Sequence, residues 1–381
     1  MNYTVPSYLK NFHCKGGACG HSCCEGWTVS ISEKEYFSLL GLKASESLKS
    51  KLDFALKVKD FPTKASYAII DKDYTGVCRL HGENGLCLLQ AELGEGVLPE
   101  ICRIYPRKAE KAGMLLKCAC ANSCEETVEV LLGSRDENFF EEIDLPLSPD
   151  VFTCFSEDEI SLSRQFAEKF REKENITQCK TQIKTKTIEE KFYDIAKALF
   201  GGVYDMPQGF SKHDFSNGFI NAVLLTKSLG LNSPSVSEYC KKTLEVLGLD
   251  KDGSFSGGEE KYLFARESFY TSFKNWETAF ENLFANHIFY TDFPFSGDTK
   301  TAGFAEVSFG GLAAAYAIVK LNLVCCFFEL GSSLSVSGLI SSFFRLIEHT
   351  AFEINAIKTI GKNENTNSEE RLKTFLSLTC I

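Results

Sequence analysis

Cys14-Lys-Gly-Gly-Ala-Cys19-Gly-His-Ser-Cys23-Cys24-Glu-Gly-Trp27 is the stretch on which the reading of this chain turns: four thiols fall within eleven residues, interleaved with glycines. Gly16, Gly17 and Gly20 open the dihedrals that a tight loop needs, so the sulfurs can converge without a helix or strand between them. Cys78, Cys87, Cys102, Cys118, Cys120 and Cys124 follow, which puts ten of the 16 cysteines in the first third of the chain. A disulfide knot and a metal centre both use such density. The start Met-Asn-Tyr-Thr-Val-Pro lacks the basic residues and apolar run of a secretory signal. The expected compartment is therefore the reducing cytoplasm, where clustered cysteines bind metal as thiolates.

A chain of 381 residues, 44% hydrophobic, is long enough for two cores. The expected fold is mainly α with a small cysteine-rich α+β metal-binding module. It divides into a cysteine-rich module over 1–135, a connector with acidic and polar linker segments over 136–187, and a mostly helical domain over 188–381. Net charge is −10, with 16 basic and 13 acidic residues through Cys124 and 25 basic and 38 acidic after it. That balance argues against nucleic acid, whose binding needs a basic patch, and suits a lysine-bearing protein partner. The most apolar stretch, Gly310 to Leu330, carries Lys320 and Asn322 at its centre, so it reads as a buried core helix with no membrane insertion.

Local signals fill in the order. Trp27 to Ile31 alternates as a strand, and Ser32-Glu-Lys-Glu35 is a capping box that opens a helix. Cys78 and Cys87 flank an Asn84-Gly85 turn, which predicts a hairpin with a thiol on each arm. Leu88 to Gly94 is a short helix ending in glycine, and Pro106 halts any helix after Cys102. Ser123-Cys124-Glu-Glu126 reads as another capping box with Cys124 in the first turn, where the helix dipole favours a thiolate. Ser156-Glu-Asp-Glu159 caps a helix carrying Ile160, Phe166 and Phe170, and 172–187 reads as an exposed linker. Helical spacing continues near 192–200, 215–230, 260–290, 310–330 and 337–359, and 361–371 reads as a loop before a last short helix.

The order Cys14, Cys19, Cys23-Cys24-x-x-Trp27, Cys78, Gly-Leu-Cys87, Cys102-x-x-Tyr105-Pro106-Arg107 and Cys124 resembles the flagellin lysine-N-methylase family. The same third is similar to the wider zinc- or iron-chelating CxxCxxCC group. The resemblance extends through Phe280 to Phe295 and Arg345-Leu-Ile-Glu-His349. It implies methylation of flagellin lysines with S-adenosylmethionine, an iron–sulfur cluster, and a metal set drawn from Cys14, Cys19, Cys23, Cys24, Cys78, Cys87, Cys102 and Cys124. The gap Cys14-x4-Cys19 and the extra Cys118 and Cys120 depart from the pattern.

Eight cysteines exceed the needs of one tetrahedral zinc or one four-iron cluster, so a second site or spectator thiols are allowed. Thiol chemistry alone favours zinc, and the resemblance implies iron–sulfur. Cys19-x3-Cys23 would need a cysteine at Gly26 to complete a radical S-adenosylmethionine run, and no Gly-x-Gly-x-x-Gly turn follows a strand. Arg107 could clamp the cosubstrate carboxylate or pair with an acid to close a turn. Tyr105 could orient the incoming lysine amine or pack half-buried. His13, His21 and Glu25 stand beside the thiols, in supporting or surface roles. Arg345 and His349, four apart on a helix, are either a surface pair or a polar site facing the metal module. The function expected is lysine N-methylation of flagellin; the alternative is a zinc-stabilised, non-catalytic adaptor for a flagellar or surface protein.

Overall fold

A computed structural model describes residues 1–25, 27–136, 138–145, 147, 156–171, 186–201, 211–248, 257–295, 303–360 and 367–381. In chain order the elements are β1 (Asn2–Pro6), β2 (Val29–Ile31), α1 (Glu33–Leu40), α2 (Glu46–Ala55), β3 (Leu56–Val58), β4 (Ala68–Ile70), α3 (Leu88–Leu93), α4 (Glu100–Ile104), β5 (Arg107–Ala112), β6 (Leu115–Cys120), α5 (Glu125–Gly133) and β7 (Phe140–Asp144). Then come α6 (Glu157–Arg171), α7 (Ile188–Phe200), α8 (Lys212–Asn232), α9 (Pro234–Leu247), α10 (Gly258–Ser272), α11 (Trp276–Tyr290), α12 (Phe304–Leu330), α13 (Val336–His349), α14 (Phe352–Ile360) and α15 (Ser368–Ser377). The protein is mainly helical with two small sheets, one ordered β5-β6-β1-β7 and the other β2-β4-β3.

The helix starts follow the local chemistry. Ser32 and Glu35 form the expected reciprocal capping box on α1, and Ser156 and Glu159 do the same ahead of α6. Gly94 ends α3 at φ +84°, a dihedral that disfavours any residue with a Cβ. The periodic run expected over 260–290 is two helices, broken at 273–275, and that over 337–359 breaks at 350–351.

Two apolar cores result. The smaller core joins Ile31, Leu39, Leu48, Leu52, Ala55, Ala68, Ile70, Leu80 and Leu89. Between 42 and 74 the sequence alone offers no pattern beyond scattered apolar residues, yet α2, β3 and β4 lie there, because short elements carry too few residues for a periodicity to stand out. The larger core takes Tyr3, Val5, Tyr8, Leu9 and Phe12 from the N-terminus and Cys118, Cys120, Val128 and Leu131, and packs them with the C-terminal helices. β1 is the reason: it lies between β6, which it pairs in parallel, and β7, which it pairs antiparallel from Asn2–Asp144 to Pro6–Phe140. The N-terminal segment thereby belongs to the helical body. α12 sits at its centre, and Phe304–Ser333 is the one described helical stretch long and apolar enough to cross a membrane, with 89% of its most apolar window buried inside the protein.

The helical body also carries buried charge in closed sets. Lys117 reaches Asp292 and, at 2.9 Å, Glu110, while Lys108 bonds Asp292 at 2.8 Å and Glu110 at 2.9 Å. Lys191 pairs with Glu281 at 2.6 Å. Each links elements distant in sequence, as buried charges must be partnered to be tolerated.

Candidate functional site

Among the described residues from Cys14 to Trp27, regular structure is confined to the short turn Gly16–Ala18, and the stretch is held from outside. Gly17 lies against the turn at 82–85: a Cβ there would meet the Asn84 carbonyl oxygen at 2.4 Å, and one on Gly85, at φ +76°, would meet the Gly17 carbonyl oxygen at 2.8 Å. Only glycines permit that approach. The expected turn forms, closed by Gly82 N–H donating to Leu86 O at 2.8 Å and by an antiparallel bridge between His81 and Cys87, but Cys78 bridges Lys72 and does not stand on an arm opposite Cys87. On the far side, Glu125 at the start of α5 accepts from the His21 backbone N–H at 2.7 Å and from the Cys19 thiol at 3.5 Å. Lys15 binds Glu125 at 3.7 Å, Glu126 at 3.9 Å and Glu129 at 2.5 Å.

α13 supplies the third wall. Arg345, 7% exposed, donates to the carbonyl oxygens of His21, Glu25 and Ser123. Glu348, whose side chain is fully buried, accepts from the backbone N–H groups of Asn122 at 3.2 Å and Ser123 at 3.0 Å and contacts His287 Nδ1 at 3.2 Å. His349 Nε2 lies 2.9 Å from Ser123 Oγ, which also accepts from the Tyr105 hydroxyl at 3.2 Å. Trp27 completes the cluster, meeting Tyr105 edge-on at 4.7 Å and His349 at 4.4 Å. Arg345 and His349 therefore face the cysteine loop, since burying an unpartnered arginine is prohibitive and the loop's carbonyls partner it.

Electrostatics follow from burial. Tyr105 is raised well above the ordinary phenol value, by burial first and by Cys124 next, so it stays protonated at neutral pH. His349 keeps an exposed edge, yet the desolvation of its ring among Trp27 and Ser123 lowers its pKa from the ordinary histidine value. Arg107 lies apart from this chain of hydrogen bonds: it opens β5 opposite Cys120 and holds its guanidinium over the Phe12 ring at 4.9 Å. His13 is exposed and bonds the Asn11 carbonyl at 3.0 Å.

The capping box expected at Ser123 is not formed. Cys124 is the N-cap of α5 rather than a first-turn residue, with no side-chain cap bond, because the Ser123 hydroxyl is engaged by Tyr105 and His349. Sequence reading missed Glu125, Glu348 and Ser123 as site residues. Glu348 had one signal, its position between Arg345 and His349 on one helical face.

All fourteen described cysteines are free thiols. The expected metal set lies around the loop: Cys24 and Cys78 are joined by a backbone hydrogen bond at 2.8 Å, Cys87 caps α3, Cys102 lies on α4, and Cys19 points at Glu125. Burial pushes Cys19 and Cys78 up to about 11 and Cys102 up to about 12, with neighbouring thiols adding to each. Burial pushes Cys118 and Cys240, outside the expected set, up to about 12 as well, so the shift marks burial and does not single out a ligand set. Among the described residues, no three His, Cys, Asp or Glu side chains converge closely enough for one metal ion. Cys118 and Cys120 are buried in β6, Cys240, Cys325 and Cys326 are buried in helices, and Cys154 and Cys179 lie outside the described residues.

The model of the FliB lysine N-methylase C-terminal domain matches residues 154–375. The flagellar biosynthetic protein FliU of Salmonella muenchen is 24% identical over 137 residues, 36% of this chain and 80% of that protein. The lysine-N-methylases of Salmonella choleraesuis and Salmonella typhimurium are 24% identical over stretches of the same length, which cover 34% of each. This chain thus spans about a third of those two relatives. No solved structure matches it. With the domain model covering more than half of its length, the chain belongs to the FliB lysine N-methylase family.

Proposed function

We propose that this protein methylates lysine side chains of flagellin in the cytoplasm, with S-adenosylmethionine as methyl donor and an iron–sulfur cluster on the N-terminal cysteines. One observation carries the reading: α13 lies inside the span matched by the family model and contributes Arg345, which holds the cysteine loop, and Glu348 and His349, which hold Asn122 and Ser123 beside it. The acidic excess after Cys124, 38 acidic residues against 25 basic, favours a lysine-bearing partner, and the flagellar name of one relative supports the choice of flagellin.

A substrate lysine must lose its ammonium proton before it reacts. Its nitrogen lone pair then forms the bond to the methyl carbon as the carbon–sulfur bond of the sulfonium breaks, and that electron pair stays on sulfur, leaving S-adenosylhomocysteine. Tyr105, neutral and hydrogen-bonded to Ser123, offers a phenol oxygen that can accept an amine N–H and fix its direction. Arg107 is assigned the carboxylate of the donor, for which a planar guanidinium is suited. A cluster held by thiols drawn from Cys14, Cys19, Cys23, Cys24, Cys78, Cys87, Cys102 and Cys124 would supply positive charge that holds neighbouring thiolates together.

The test is direct. Purified protein, S-adenosylmethionine and flagellin should yield lysine peptides heavier by whole methyl groups. A folded, metal-loaded sample that binds flagellin and adds no mass would favour the zinc-stabilised adaptor instead.

A further inference from the structure

Between Tyr105, half-buried beside the cysteine loop, and His349, exposed at the end of α13, a single hydroxyl makes the connection. The Tyr105 hydroxyl donates to Ser123 Oγ at 3.2 Å, and Ser123 Oγ lies 2.9 Å from His349 Nε2. Ser123 is 0% exposed, so bulk water does not compete for either bond. Its backbone is pinned as well: the N–H donates to Glu348 at 3.0 Å and the carbonyl oxygen accepts from Arg345 at 3.4 Å. Trp27 packs edge-on against both Tyr105 and His349 and so lies beside the whole connection. The hydroxyl also forgoes the start of α5, where a side-chain cap typically contributes about 1 kcal/mol.

Ser123 has one hydroxyl hydrogen. Since its oxygen accepts from Tyr105, that hydrogen goes to His349 Nε2, and the imidazole that receives it carries its own hydrogen on Nδ1. Nδ1 has no protein partner among the described residues, and His349 is exposed, so its bond is left to water. The chain therefore runs from a half-buried phenol through a dry hydroxyl to a solvated base.

We propose that Tyr105, Ser123 and His349 form a proton relay that carries the ammonium proton of the bound lysine to solvent, with His349 as the terminal acceptor. The proposal rests on the methylase reading, since the proton it moves is the one that the substrate amine must lose. The lysine N–H proton passes to the Tyr105 oxygen as the Tyr105 hydrogen passes to Ser123 Oγ and the Ser123 hydrogen to His349 Nε2. The amine nitrogen keeps the electron pair that attacks the methyl carbon, and the positive charge moves from lysine to the imidazolium. Exchange with water at the exposed edge returns the imidazole to its starting form, and rotation of the two hydroxyls restores the chain. Histidine suits this place: desolvation of the ring lowers its pKa from 6.5, with Glu348 and Arg345 acting in opposite directions, so the free imidazole prevails above that value. From the other elements it faces Trp27, Ser123 and, through Ser123, the Tyr105 phenol.

The experiment is the pH dependence of single-turnover methyl transfer from S-adenosylmethionine to flagellin, measured on the full metal-loaded chain and on His349→Gln and Ser123→Ala. Glutamine keeps a hydrogen bond to Ser123 and cannot take up the proton; alanine breaks the chain and leaves His349 in place. At pH 7 each variant should be slower by about 100-fold, the loss expected when a proton acceptor is removed. The deficit should shrink as pH rises from 7 to 9.5, because a lysine with a pKa of about 10.4 then increasingly arrives without its proton. A deficit that is the same at every pH would mean that Ser123 and His349 only position Tyr105, which overturns the relay and leaves the methylase reading standing. So does a wild-type rate at pH 7 in His349→Gln. If Ser123→Ala does not fold, His349→Gln, altered at an exposed residue, decides alone. A folded, metal-loaded wild-type chain that adds no methyl group at any pH overturns both the relay and the methylase reading beneath it.

Discussion

The Arg345 guanidinium donates to the carbonyl oxygen of His21, a residue 324 positions earlier in the chain. That bond, with those to Glu25 and Ser123, is how a helix of the C-terminal body holds a loop that has little regular structure of its own.

Arg345→Met should free the loop. Its three carbonyl acceptors lose a charged donor, and hydrogen bonds to charged groups contribute about 1.5 to 3 kcal/mol each at most, so a net loss of about 2 to 3 kcal/mol is expected. Denaturant unfolding measures it, and limited proteolysis should show faster cleavage between residues 14 and 27. An unchanged midpoint and cleavage rate would contradict the role given to Arg345.

Gly17→Ala should destabilise the protein although alanine usually restricts the unfolded chain favourably. The new Cβ would stand 2.4 Å from the Asn84 carbonyl oxygen, a backbone atom that cannot rotate away. Overpacking of this kind costs about 1 to 3 kcal/mol. A thermal melt at or above the wild-type value would sink the claim that the loop is seated on the turn through this contact.

Lys320 predicts a pH dependence. Its ammonium is 1% exposed, bonds the Tyr316 hydroxyl at 2.8 Å and lies over the Trp276 ring at 4.6 Å, and burial lowers its pKa to about 8. Unfolded, a lysine titrates near about 10.4. Between those values the unfolded state binds more protons than the folded one, so stability rises as pH goes from about 8 to 10 and the burden is fully present below 8. Lys320→Met should therefore stabilise the protein at pH 7, on the order of 1 to 3 kcal/mol, and remove that rise. Chemical denaturation at pH 7 and pH 9.5 decides it.

Tyr105→Phe should leave metal content and melting temperature close to wild type while methyl transfer falls by about 100-fold, the order expected when a group that positions the reacting amine is removed. Removing the hydroxyl leaves Ser123 bonded to His349, so the fold keeps its contacts there. Single-turnover methylation of flagellin is the readout, and equal rates would return Tyr105 to a packing role.

Lys117→Met should be the most damaging of these changes. It leaves Asp292, which is 0% exposed, and Glu110 with Lys108 as their remaining cation, and breaking a buried charge network by removing one member costs about 3 to 5 kcal/mol. Urea titration measures it; a shift under about 1 kcal/mol would mean that the network relaxes or hydrates.

What the sequence by itself determined were the features set by neighbours along the chain: the capping boxes at Ser32 and Ser156, the Asn84-Gly85 turn between Cys78 and Cys87, the glycine stop at Gly94, and the burial of the helix around Lys320 and Asn322. Each depends on dihedrals or hydrogen bonds within a few residues, and those preferences are written locally. Tertiary structure decided the rest. It placed β1 between β6 and β7, so the N-terminus joined the helical body, and it turned Arg345 onto the cysteine loop and Glu348 and His349 onto Ser123. It also took the Ser123 hydroxyl from the helix cap that the local pattern offered and gave it to Tyr105 and His349. In each case the deciding partner lies a hundred or more residues away, or competes with a local partner of equal chemistry. Only the burial of polar groups, each of which must find a partner once water is excluded, settles which one wins.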